Sequence, residues 1–433
     1  MKVFKFGGAS VKDAESVKNA VSIIQNNSAN QLFVIVSAMD KTTNALEGLL
    51  NAFFYKTEDW QPLLEKIKDF HFNILKALFS DEKHAIYQEI HNTFVEIEWQ
   101  LEDDPIGTFD FEYDQMVSIG EVLSSKILSA ALTQSACKNK WIDARDLIRT
   151  DNNYRAGVVD WKTTNNQIQR VAKNNFTAEN QVLVSQGFIA STSENYTSTL
   201  GREGSDFSAA IVASALDAEE VVIWKDVEGM LNADPKFFEN TIKLNNISYK
   251  EAVELAYFGA SVIHPKTIKP LENKGIPLFV KSFINPNNKG TLIDKNTATD
   301  SLIPSYIHKP NQVLISISPR DFSFIEEENL SEIFGLFFKH GIRIAAMQNS
   351  AISFSVCTSE LNPNLKQLID ELKSHFKVSY NNGLSLLTIR HYDETTVTEL
   401  TKGKENLMEQ RSRNTARFVL KPIDNNATIS ILT

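Results

Sequence analysis

At four places in this chain charged or hydroxyl side chains cluster at a strand end or a helix start, three of them beside glycine, a combination suited to phosphate and carboxylate chemistry. The first is Lys5-Phe6-Gly7-Gly8-Ala9-Ser10. Paired glycines after a strand let the backbone approach a ligand closely, and N–H groups opening a helix can point at phosphate; a plain tight turn is the alternative. Lys5, at a strand's carboxyl end, could neutralise charge on a transferring phosphoryl group. The second, residues 36–44 (VSAMDKTTN), offers Ser37 and Thr43 as hydroxyls that either hold a carboxylate or cap the next helix. In the third, Gly201-Arg202-Glu203-Gly204-Ser205-Asp206, Arg202 can grip a carboxylate with two parallel hydrogen bonds. Asp206 can orient Lys5 or a metal-bound water, or simply cap a helix. The fourth runs from Trp224-Lys225-Asp226 through Gly229 to Asp234-Pro235-Lys236, and suits either nucleotide recognition or an ordinary strand-to-helix loop. Glu121, on an amphipathic helical stretch over 117–132, is either a solvated surface acid or a partner for a substrate ammonium.

The elements that must position these groups follow from periodicity. Residues 3–6 form a β-prone run, 13–24 carry apolar residues at helical spacing, and LFVIV (32–36) is continuously apolar, as in strands buried on both faces of a parallel sheet. Residues 44–101 read as helix hairpins facing a core. The strand–helix rhythm resumes with 181–184, 208–215 and 220–224, and a final strand follows at 276–281. Such alternation predicts a mostly parallel sheet covered by helices. The polar stretch 285–300 reads as a domain boundary. Beyond it, strands at 313–318, 342–346, 351–357 and 377–380 with helices at 329–339 and 365–373 make one β-α-β-β-type round. Strands at 384–389, 416–420 and 427–432 with a helix near 397–407 make a second.

Composition narrows the class. Of 433 residues, 42% are hydrophobic and 23% charged, ordinary for a globular protein with two or three domains. With 44 Lys and Arg against 54 Asp and Glu, the formal charge is −10. That balance argues against nucleic acid as a main partner. Cys137 and Cys357 lie far apart, outside any metal-ligand spacing, which favours a reducing, cytoplasmic setting. The apolar run at the N-terminus is too short for a signal core, and no run of roughly 18 apolar residues predicts a membrane span.

In their order and spacing, KFGGAS, VSAM with TTN, SIGE (118–121), GREGSD (201–206), KDVEGMLNADP (225–235) and YFGASVIHP (257–265) resemble the aspartate kinases. The resemblance covers essentially the whole chain, including a tail similar to paired ACT regulatory domains. It implies an α/β fold: a three-layer αβα amino-acid kinase domain with a mostly parallel sheet at 1–298, then a ferredoxin-like α+β ACT pair at 303–433. The first ACT unit would take about 311–380, and the second about 303–309 with 382–433.

The resemblance also implies roles. Lys5 and Asp206 match the catalytic pair. Lys5, Gly7, Gly8, Lys225, Asp226, Leu231, Lys236 and Ser261 fall where relatives contact ATP, used with Mg²⁺. Ser37, Thr43, Glu121 and Arg202 match the groups that hold L-aspartate. The implied reaction makes 4-phospho-L-aspartate, the first step toward lysine, threonine and methionine. Feedback by lysine or threonine and assembly into a homodimer or larger homo-oligomer through the ACT domains are expected with it.

Three departures stand out. Ala9 replaces a frequent Thr, and Ser261 replaces a Lys that reaches the nucleotide in some relatives, leaving Lys266 or Lys236 as substitutes. Asn349-Ser350-Ala351 stands where lysine-sensitive relatives tend to have Thr-Ser-Glu, so Met347, Asn349 and Ser350, on a strand expected to be buried, mark an effector site without naming its ligand. The rivals are another amino-acid kinase, of the glutamate or acetylglutamate type, or a catalytically silent amino-acid-sensing module.

Overall fold

The apolar run after Met1 forms β1 (Lys2–Phe6), the strand on which the first unit of the fold is built. The computed structural model describes residues 1–178, 180–260, 263–321 and 323–422. The described residues divide into one unit within 1–230, 245–253 and 263–297, and another within 231–244, 254–260 and 298–422.

In the first unit, β1 is followed by β2 (Leu32–Val36), β3 (Asn139–Ile142), β4 (Val182–Gln186), β5 (Ile189–Ser191), β6 (Thr197–Thr199), β7 (Glu220–Lys225), β8 (Asn246–Ser248), β9 (Leu278–Ser282) and β10 (Thr291–Asp294). Eight of these make one sheet in the order β3-β4-β2-β1-β7-β9-β10-β8. Only the β9–β10 pair is antiparallel. β1 pairs with β2 on one side and β7 on the other, so the strand order reverses there, and the crevice outside its carboxyl end is where such sheets bind ligands. β2 is buried at every position, as its unbroken apolar run requires. Two elements depart from the sequence reading. β3 has too few apolar residues to stand out, and β10 lies inside the polar stretch read as a boundary.

The helical stretch 44–101 resolves into Thr42–Tyr55, Gln61–Leu78 and Ala85–Glu102. The helix expected at 117–132 is Ile119–Gln134, and a separate helix that was not expected, Phe109–Val117, precedes it. Ile119–Gln134 is buried around most of its circumference, with only a stripe of Lys126, Ser129, Ala130 and the last turn reaching solvent, and Glu121 lies on the buried side. By length and composition the Phe109–Gln134 span could cross a membrane, yet most of it is buried within the fold as a core element.

In the second unit, β11 (Ser305–Ser318), β12 (Ile344–Asn349), β13 (Phe354–Ser359), β14 (Lys377–Arg390), β15 (Lys404–Arg411) and β16 (Thr415–Pro422) form one antiparallel sheet ordered β12-β13-β11-β14-β16-β15. The sequence reading broke both β11 and β14 in two, but each runs continuously for 14 residues. A register shift between Lys309 and Gln312, with Asn311 at φ 55°, lets one strand serve both halves of the sheet. Residues 312–318 join β13 and the start of β14, while 305–309 pair with 386–390. The helix expected near 397–407 stops at Thr401. Gly403, at φ 72°, turns the chain into β15. The strand expected at 427–432 lies outside the described residues.

His71 is buried in the Gln61–Leu78 helix, with Nδ1 2.8 Å from the Ile67 carbonyl and Nε2 without a partner. Burial pushes its pKa down to about 4. Because the folded value lies below the unfolded one, the stability of the neutral ring is present above about pH 6.5 and is lost as pH falls through about 4. Denaturant titrations at about pH 7 and 4.5 should show the wild type losing about 2 kcal/mol more stability than His71→Leu. Parallel losses in the two proteins would contradict this.

Candidate active site

Lys5 and Lys225 reach the same carboxylate because of sheet register. Lys5 on β1 is level with Ile223 on β7, so Lys225, two residues further along, projects from the same face. The Gly204–Ala215 helix carries Asp206 in its first turn. Lys5 Nζ lies 2.6 Å from Asp206 Oδ1, and Lys225 Nζ 3.5 Å from Oδ2. Asp206 is fully buried and Lys5 nearly so. Burial alone would raise the Asp206 carboxyl, but the Lys5 and Lys225 charges outweigh it and hold it below the ordinary carboxylate range. Two ammonium groups against one carboxylate leave this cluster one positive charge in excess.

Glycine closes the loops around the cluster. A Cβ on Gly8 would sit 2.8 Å from the Ala38 carbonyl oxygen and 3.0 Å from that of Asp40, so the KFGG and VSAM loops pack backbone to backbone. Asp40 N–H donates to the Gly8 carbonyl, and Ser37 N–H to that of Phe6. Gly201, at φ 75°, allows the turn that presents Arg202.

Together these loops enclose a cavity of about 470 Å³ lined by Lys5, Gly8, Ser37, Thr43, Glu121, Arg202 and Asp206. All four proposed substrate-holding residues, both proposed catalytic residues and one proposed phosphate-loop glycine therefore share one space. A Cβ on Gly7 would lie 3.6 Å from Lys5 Nζ, which places Gly7 beside the ammonium. Asp226 directly follows β7 and is exposed. Leu231 and Lys236 belong to the second unit, in which Leu231 bridges to Lys243 and the Lys236 N–H bonds Asp234. Ser261 lies outside the described residues. Met347 and Asn349 sit on the exposed end of β12 and Ser350 follows in the turn to β13, so this stretch is two strands and a turn, not one buried strand. Its outward polar side chains gain nothing from burial.

The cavity wall also includes Tyr113, Arg155 and Phe188, which the sequence reading did not select. Arg155 falls in an Asn-rich turn after Thr150, and its charge was the only signal available there.

Glu121 is the unusual acid of the site. Its side chain is buried and its Oε2 has no hydrogen-bond partner. Burial pushes its carboxyl up to about 8, against the N–H groups of Ala38 and of Glu121 itself and the Lys5 charge. A buried carboxyl that is neutral at pH 7 but lies close to its pKa is suited to receiving a cation. With the folded pKa above the unfolded one, its stability contribution is complete below about pH 4.5 and lost as pH rises through about 8. Between about pH 5 and 8, ligand-free wild type should lose about 3 kcal/mol more than Glu121→Gln, which cannot ionise. Equal losses in denaturant titrations would place Glu121 in a solvated environment.

Residues 1–282 match the amino acid kinase family. The chain is 30% identical to lysine-sensitive aspartokinase 3 of Escherichia coli, over 89% of this chain and 86% of that protein. It is 28% identical to a chloroplastic bifunctional aspartokinase/homoserine dehydrogenase of Arabidopsis thaliana, over 88% of this chain. That match spans only 42% of the plant protein, and two Zea mays bifunctional enzymes are likewise covered by less than half. Among solved structures, E. coli aspartokinase III in complex with lysine and aspartate superposes with a TM-score of 0.81 at 27% identity, covering 98% of this chain and 96% of that one. The same enzyme with aspartate and ADP gives the same values. The chain belongs to the amino acid kinase family and, within it, to the aspartokinases.

Proposed function

We propose that this protein transfers the γ-phosphoryl group of ATP to the side-chain carboxylate of L-aspartate, giving 4-phospho-L-aspartate and ADP. The observation that carries the reading is one cavity lined by Lys5 and Asp206, by the orphaned Glu121 carboxyl and by Arg202, with Lys225 behind it as the second ammonium on Asp206. The aspartate-and-ADP complex of the E. coli relative supports it. A carboxylate oxygen of aspartate forms a bond to the γ-phosphorus as the bond to the β,γ-bridging oxygen breaks, and that electron pair leaves on ADP. The attacking carboxylate is already ionised at neutral pH, so no general base is needed. Catalysis reduces to alignment and charge neutralisation.

In this reading Lys5 meets the transferring group, while Gly7 and Gly8 let the backbone approach the phosphates. Lys225, Asp226, Leu231, Lys236 and Ser261 serve the nucleotide. Ser37, Thr43 and Arg202 hold aspartate, and Glu121 takes its ammonium. Mg²⁺ would enter with the nucleotide, since it keeps several waters and binds largely through phosphate oxygens; Asp206, whose two oxygens meet Lys5 and Lys225, would orient those ammonium groups beside it.

The catalytic domain is read as 1–298 and the regulatory pair as 303–433, split at about 311–380 and 303–309 with 382–433. Met347, Asn349 and Ser350 mark its effector region, for lysine or threonine. Pairing of sheet edges between subunits would give at least a homodimer, because exposed strand edges invite partners. The placement in amino-acid biosynthesis, toward lysine, threonine and methionine, and a cytoplasmic setting belong to the same reading.

A hydroxylamine-trapping assay tests the product, with L-aspartate, L-glutamate and N-acetylglutamate as competing acceptors. L-Aspartate should be preferred, and Lys5→Ala should lower kcat by about two to three orders of magnitude. Preference for another acceptor, or near-wild-type turnover in Lys5→Ala, would overturn the assignment.

A further inference from the structure

Arg155 is the second guanidinium on the cavity wall, and its placement is backbone-driven. It sits at φ 63°, a left-handed conformation that costs a residue with a side chain about 1–2 kcal/mol relative to glycine. Asp114 holds it there. The Asp114 carboxylate accepts the Arg155 N–H at 2.9 Å, the Thr199 N–H at 2.8 Å and the Thr199 hydroxyl at 2.7 Å. Gly157 N–H donates to the Thr199 carbonyl. The Arg155 carbonyl oxygen also occupies the space next to Gly201, only 2.9 Å from where a Cβ would stand. The turn bearing Arg155 and the turn bearing Arg202 are thus fastened to each other through β6 and Gly201.

The Arg155 side chain is held in place without being fully satisfied. Its guanidinium lies 4.2 Å from the centre of the Tyr113 ring, a stacking contact that fixes the plane while leaving the N–H edge available. Its two carboxylate contacts are long, 3.3 Å to Asp110 and 3.5 Å to Glu47, and the side chain is 40% exposed. Both arginines line the cavity that contains Glu121 and Lys5.

We infer that Arg155 is a specificity-determining residue that grips the α-carboxylate of the amino-acid acceptor, sharing it with Arg202. The inference rests on the aspartate-phosphorylating reading given above. An acceptor whose ammonium meets Glu121 and whose reacting carboxylate faces Lys5 still presents an α-carboxylate. Two guanidinium groups on turns locked to each other recognise that group and discriminate against acceptors that lack it.

The test uses full-length wild type, Arg155→Gly and Arg155→Lys, with ADP release and hydroxamate formation as readouts. Glycine suits the left-handed backbone, so Arg155→Gly should match or exceed the wild-type thermal midpoint. Its KM for L-aspartate should rise about ten- to thirtyfold, with KM for ATP within about twofold, as expected for loss of a half-exposed charge-assisted contact. Arg155→Lys should recover only part of the loss, because an ammonium cannot reproduce the planar fork. L-Aspartic acid α-amide, used as a competing ligand, should have the same inhibition constant in wild type and Arg155→Gly. An unchanged KM for aspartate in Arg155→Gly would overturn the inference. So would an equal loss of affinity for the α-amide, or a fall in thermal midpoint with wild-type kinetics in Arg155→Lys; the last would make Arg155 a loop-packing residue. Absence of aspartate turnover in the wild type is a separate result, which would remove the underlying reading together with this one.

Discussion

One buried carboxylate shared by two ammonium groups governs this site. Asp206 has no exposure to water, and such a charge persists only when opposite charge stands within contact. Lys5 and Lys225 supply it from adjacent parallel strands, and their spacing is fixed by the β1–β7 register. Moving either strand by one residue would send its lysine to the opposite face of the sheet. The sheet, the helix beginning at Gly204 and the glycine loops between them are therefore tied to a single electrostatic arrangement. Its excess positive charge sits where a polyanion can approach through the KFGG loop, and the burial of Lys5 and Asp206 makes that charge count for more than it would in water.

Glu121 complements the cluster from the other wall. The Ile119–Gln134 helix buries the carboxyl so thoroughly that it prefers to hold a proton, which keeps an empty site from carrying an unpaired interior charge. An arriving ammonium supplies the missing partner. The two walls therefore ask different things of a ligand, negative charge near Lys5 and positive charge near Glu121, and an amino acid with a second carboxylate meets both.

Much of this was legible in the sequence, and the limits have physical causes. Strands buried on both faces announce themselves through continuous apolar runs, so β1, β2, β4 and β7 and the loops at their ends could be located. Lys5, Ser37, Arg202, Asp206 and Lys225 followed from their places at those strand and helix ends. Glu121 did not, because periodicity treats a charged residue in a helix as solvent-facing, and only family resemblance singled it out. Arg155 escaped both routes. Its importance depends on a left-handed backbone and on Asp114 and Gly201, which are distant from it in the chain and leave no local pattern. The same limitation split β11 and β14, since a bulge inside a long strand looks in sequence like a break. It also obscured the 231–244 segment, which carries Leu231 and Lys236. That segment packs on the antiparallel sheet of the second unit, with Phe238 against Tyr306 and Phe237 against His308.

The central claim is that a neutral, buried Glu121 becomes a carboxylate when it receives the acceptor's ammonium. Calorimetric titration of L-aspartate at pH 7, in buffers of different ionisation enthalpy, counts the protons exchanged on binding. A carboxyl with a pKa of about 8 should release about one proton per aspartate bound, and Glu121→Gln should release none. Aspartate binding to the wild type without proton release would mean that Glu121 is already ionised in the empty site, and would contradict the account.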